Sequence, residues 1–138
     1  MNHKNRRMAV AIVLMASVYL AYTYGINLFL ARSEACALST IAEWTGTSPL
    51  PKTAYGIRVR SVGSAPTREL TVEFKAPRED VERWLRESPG TKGIQPVAKS
   101  DGSLCLKIKP RGGAKSAEIG LSGAGTKVRI RTSGSLVQ

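Results

Sequence analysis

The chain has 138 residues, with 21 basic against 10 acidic side chains, a net charge of +11 and one histidine. That length holds one ordinary domain beside a membrane segment and not two. The single histidine is His3, in the leader, so catalysis or metal binding built on histidine is excluded from the domain that follows.

Residues 1–7, MNHKNRR, form a basic leader, and residues 8–31, MAVAIVLMASVYLAYTYGINLFLA, contain no charged side chain. Such a run, at about 1.5 Å per residue, is long enough to cross a bilayer's hydrocarbon core as one helix. Lys4, Arg6, Arg7 and the amino terminus outweigh the far flank, where Arg32 is soon followed by Glu34. The positive-inside bias therefore predicts a cytoplasmic N-terminus and a C-terminal domain outside the cytoplasm, in a single-pass bacterial inner-membrane arrangement. A cleaved signal peptide competes, with Ala35 and Ala37 as its small-residue pair, but the apolar run exceeds a usual signal core and favours an uncleaved signal-anchor. Cys36 follows Ser33-Glu34-Ala35, which is no lipid-attachment signal. Ala16, Ser17 and Ala21 are small residues on which a partner helix could pack.

Residues 32–54 read as a juxtamembrane segment and connector. Ala37, Leu38, Ile41 and Trp44 recur at helical spacing, as a separate short helix or as an extension of the membrane helix. Trp44 fits a headgroup-level anchor, or the commoner use of packing on its own domain. Gly46 stops the helix, and Pro49 and Pro51 impose an extended approach to the domain.

The folded domain is expected over residues 55–132. Strict alternation marks strands at 57–62, 70–75 and 104–109, and again at 117–121 and 126–131, with a weak edge candidate at 93–97. The first two should pair antiparallel across the turn 63–67. Residues 77–88, PREDVERWLRES, form the helix: Pro77 suits its first position, Glu79 and Asp80 its N-terminal dipole, and Val81, Trp84 and Leu85 its apolar stripe. Glu79 with Arg83 and Glu82 with Arg86 are spaced for ion pairs. Residues 133–138 read as a tail. The fold class is α+β: an N-terminal transmembrane helix, then a small antiparallel sheet packed by one amphipathic helix. Its inward set includes Ile57, Val59, Leu70, Val72, Phe74, Leu104, Leu106, Ile108, Ile119, Leu121, Val128 and Ile130.

Two features bear on function. Cys36 and Cys105 are a candidate disulfide in an oxidising compartment, which would stabilise the domain by up to about 4 kcal/mol for a loop of roughly 70 residues; two free thiols are the alternative. Because Cys105 alternates away from Leu104 and Leu106, the bond would draw residues 33–45 to the sheet's other face or its edge. The outward positions Arg58, Arg60, Lys107, Lys109, Lys127, Arg129 and Arg131 form a candidate anion-binding surface if their strands are neighbours. Of the 21 basic residues three lie in the leader, leaving 18 against 10 acidic ones beyond it. That excess suits an anionic envelope component or an acidic protein, although a one-sided sheet also carries Lys and Arg simply to stay soluble. Nucleic acid is disfavoured, since no outward aromatic row offers stacking platforms.

Chemistry has little footing. There is no Cys-x-x-Cys, the segment Lys109–Lys115 lacks phosphate-loop spacing, and Glu79 and Asp80 belong to a helix start. No catalytic residue, metal site or cofactor is assigned. The chain resembles a loosely defined group of small bacterial proteins with an N-terminal anchor or lipid signal. The resemblance rests on the lead-in 46–54 ending Leu50-Pro51-Lys52-Thr53-Ala54, the strand ending at Phe74, and Pro77, Asp80-Val81 and Trp84-Leu85 followed by Ser88-Pro89-Gly90. It implies a bacterial envelope location and no reaction. The expected function is a membrane-anchored extracytoplasmic binding or structural module, with the bilayer held through residues 8–31. The alternative is a cytoplasmically facing membrane protein that associates with nucleic acid through its basic sheet face.

Overall fold

The structure, a computed structural model, describes residues 3–63 and 67–135, and of residues 3–7 and 30 the backbone alone. The leader's charged side chains, turn residues 64–66 and residues 136–138 of the expected tail lie outside the described residues. The chain divides after Ala35 into two compact units.

Helix α1 spans His3–Thr45 without a break, so residues 33–45 extend the apolar helix rather than forming a second one. Between Met8 and Ala31 the helix carries no charged side chain, and its large apolar residues from Met8 to Phe29 are exposed on every side. Met15 is 76% exposed, and none of the most apolar window, of mean hydropathy 1.8, is buried. A helix that is apolar on every side has no aqueous face. It is long and apolar enough to cross a membrane.

The second unit starts with the last turns of α1. They are amphipathic, and Ile41 and Trp44 enter the core. Gly46, in the left-handed region at φ 64°, closes the helix, and the Thr47 amide donates to the Ala42 carbonyl. This is the bond of a Schellman cap. Among the described residues six strands follow: β1 (Tyr55–Val62), β2 (Thr67–Lys75), then, after helix α2 (Arg78–Glu87), β3 (Val97–Ala98), β4 (Leu104–Ile108), β5 (Ala114–Ser122) and β6 (Lys127–Ser135). They form one antiparallel sheet in the order β1-β2-β6-β5-β4-β3. β6 is therefore central. It runs beside β2 from Thr67 opposite Ser135 to Lys75 opposite Lys127, so residues 133–135, expected in the tail, belong to the ladder. β3 is the edge strand expected near Pro96, shifted to the two residues after it.

One sheet face is covered by α2 and by the end of α1. Val72, Phe74, Ile119, Val128 and Ile130 are each 1% exposed or less. Trp84 of α2 stands edge-on to Phe74, with ring centroids 5.6 Å apart, and its Nε1 donates to the Ser48 carbonyl at 2.9 Å. That geometry satisfies both the apolar body and the polar tip of the indole. Trp44, also buried, caps the other end of the core. It lies against glycine positions: a Cβ at Gly112 or Gly134 would come within 3.3 or 3.0 Å of its ring. Trp44 thus packs on its own domain.

A polar seam joins the ends of the two helices. The Ser48 amide donates to Ser88 Oγ, and the Gly90 amide to the Gly46 carbonyl at 2.7 Å. A side chain at Gly90 would overlap the Thr45 carbonyl, with a Cβ only 1.8 Å from its oxygen.

Several expectations are corrected. Pro77 is the residue before α2 rather than its first residue. The helix's ion pairs join Arg78 to Glu82 at i,i+4 and Arg83 to Asp80 at i,i+3, so Glu82 pairs with the arginine one turn before it and Arg83 with Asp80 in place of Glu79. Ile57 and Leu104 are 43% and 38% exposed, since neither helix covers the sheet's margins. The Cys36–Cys105 disulfide is absent: both thiols are free. Ile41 and Trp44 carry their helix to the core face, while Cys105 points to the opposite one, so the sheet itself separates the pair.

A basic open sheet face

The open face is built by strand register. Leu70, Val72 and Phe74 turn inward, so Glu69, Thr71, Glu73 and Lys75 of β2 turn outward, and each neighbouring strand follows the same alternation. One row across the sheet reads Arg58, Glu73, Arg129, Gly120, Cys105. The next reads Arg60, Thr71, Arg131, Glu118, Lys107, and on the other side of the first lie Lys75, Lys127 and Ser122. Six of the seven expected basic residues therefore share one face. Lys109 does not join them, because the chain leaves the sheet after Ile108. Lys75, opposite Lys127, adds a cation to this face beyond the seven expected from the sequence. Its signal was present, since it continues the alternation that places Glu73.

The carboxylates decide which cations are committed. Arg129 Nε is 2.7 Å from Glu73 Oε1, and Arg131 Nε is 2.9 Å from Glu69 Oε1, with Glu118 Oε1 at 4.0 Å from Arg131. Among the described residues no carboxylate lies within salt-bridge distance of Arg58, Arg60, Lys107 or Lys127. Burial of Glu73 pushes its carboxyl up, but the hydrogen bond and charge of Arg129, with Lys127 and Arg60 behind it, outweigh this and hold it below the ordinary glutamate range.

Gly120 lacks a side chain between Cys105 and Arg129, which leaves a depression of about 230 Å³ bordered by Lys99, Glu118 and Arg131. Cys105 is 4% exposed at its floor, with Sγ 3.9 Å from Glu118 Oε2. At its rim Asp101 accepts from the Ser103 hydroxyl at 2.6 Å and amide at 3.0 Å, and these bonds hold its carboxyl below the usual range. Among the described residues no group of three or more His, Cys, Asp or Glu could hold a metal ion. The arrangement offers fixed positive charge on an open sheet face rather than in an enclosed pocket. No family model, curated protein or solved structure matches the chain.

Proposed function

We propose that this chain is a single-pass membrane protein of the bacterial envelope whose C-terminal module binds or scaffolds outside the cytoplasm, holding an anionic partner on its open sheet face. The observation that carries this reading is the register, which gathers Arg58, Arg60, Lys107 and Lys127 on one face without a carboxylate at salt-bridge distance from any of them among the described residues. The leader's Lys4, Arg6 and Arg7 support the orientation with the N-terminus in the cytoplasm. The sheet's aromatic residues, Phe74 in the core and Tyr55 at the start of β1, provide no stacking row, which weighs against nucleic acid.

Binding is tested with full-length protein in phosphatidylcholine vesicles mixed with soluble polygalacturonate or neutral dextran. Polygalacturonate should cosediment, and less so as salt rises. Replacing Arg58, Arg60, Lys107 and Lys127 by Gln should weaken it by about tenfold or more. Equal retention of neutral dextran, or an unaffected quadruple variant, refutes the reading. Orientation is tested at the exposed thiol of Cys36: a membrane-impermeant maleimide should reach it in spheroplasts. Labelling only after lysis would move the module to the cytoplasm and favour the nucleic-acid alternative.

A further inference from the structure

The sheet has two unlike edges. β3 is two residues long, whereas β1 runs eight residues from Tyr55 to Val62, in regular register from Arg58 onward, and among the described residues pairs with β2 alone. Only Val59 of β1 is even partly buried. A strand this long with one unpaired side is a template for another strand. On the core side of β1 an apolar groove of about 570 Å³ opens between Leu38, Leu50, Ala54, Ile57, Val72 and Ile130. On its open-face side Arg58 and Arg60 have no carboxylate at salt-bridge distance among the described residues, because Glu73, directly opposite Arg58, is engaged by Arg129.

We propose that the free edge of β1 takes up an extended segment of a partner protein in which apolar and acidic residues alternate. This goes beyond anion binding by the open face, since backbone pairing and side-chain order do the recognising. Alternate side chains of an added strand point to opposite faces of the sheet. One set would enter the groove beside Ile57, and the other would come up against Arg58 and Arg60. A second copy of this chain fits less well. Pairing β1 antiparallel with itself sets these arginines against their own counterparts, and like charges directly opposite destabilise a ladder.

The test uses full-length protein in phosphatidylcholine nanodiscs and three labelled hexapeptides: alternating Glu-Val, the same residues as a Glu block followed by a Val block, and alternating Lys-Val. Alternating Glu-Val should bind and slow amide hydrogen exchange within residues 55–62. The block isomer, equal in charge and composition, should bind about tenfold more weakly. Arg58→Glu with Arg60→Glu should lose the Glu-Val peptide and gain Lys-Val. Lys107→Gln with Lys127→Gln, away from this edge, should weaken polygalacturonate binding and leave the peptide unchanged, which separates failure here from failure of the open-face reading. Equal binding of the two isomers, no binding, or β1 protection that needs no peptide and fades on dilution would each overturn the proposal, the last in favour of a second copy.

Discussion

The two faces of the sheet are made by the same strands, yet they are held together by different physics. On the core face Val72, Phe74, Ile119, Val128 and Ile130 meet Trp84 and Ile41, and nearly all their surface leaves water. On the open face the same strands present rows of charge in which three carboxylates are shared between Arg129 and Arg131. Burial of a large apolar side chain is worth about 1.5–3 kcal/mol, whereas an exposed ion pair is worth about 0–1 kcal/mol. The stability of the module therefore resides on one face, which leaves the other free to vary in charge without loss of the fold.

Substitutions on each face sharpen this contrast. Trp84→Ala should have the largest effect, about 3–5 kcal/mol in denaturant unfolding, because it empties the space beside Phe74 and leaves the Ser48 carbonyl without its donor. Gly134→Ala follows. A Cβ there would lie 2.5 Å from the Gly113 carbonyl oxygen and 3.0 Å from Trp44, and the forced shift should cost about 1–3 kcal/mol. Arg58→Gln and Lys107→Gln should change unfolding free energy by less than about 0.5 kcal/mol while lowering polyanion retention, so a large stability loss would blur the distinction between faces.

Acid should single out the Glu73–Arg129 pair. Because the folded carboxyl titrates below its unfolded value, the pair's contribution is present above the ordinary glutamate range and fades as pH falls through the lowered value. Glu73→Gln should accordingly narrow the gap between neutral and acid stability, a small change best read from paired thermal melts. The thiols supply a kinetic contrast. Cys36 should react promptly with maleimide in the native protein, and Cys105, 4% exposed, only as the sheet opens.

Alternation made the strands and their faces readable, since Val-x-Phe in β2 and Val-x-Ile in β6 announce which side is buried. It carried no information about neighbours. Nothing in Thr67–Lys75 names Lys127–Ser135 as its partner, and that pairing is what brings Arg129 to Glu73. Nor does alternation report how far a covering layer extends, which is why Ile57 and Leu104 read as core and lie exposed. The disulfide expectation failed for a related reason. Spacing placed Cys105 on the correct face, but the face taken by residues 36–45 is decided by the packing of Ile41 and Trp44. Trp44's seat on Gly112, Gly113 and Gly134 was hidden too, because those glycines resemble ordinary turn residues until the ring is seen above them.

The central position of β6 also sets an order of events as the chain is made. Residues 55–75 can form one hairpin and residues 97–122 a three-stranded meander, but each then ends in an unsatisfied margin facing a gap. Residues 127–135, synthesised after both, fit between them, joining Leu70 to Thr132 across a long stretch of chain. Such distant pairing slows assembly, and until it occurs both fragments expose sticky strand borders. The growing chain thus depends on β6 to become safe from aggregation, and a ribosome stalled before Lys127 would leave two incomplete sheets.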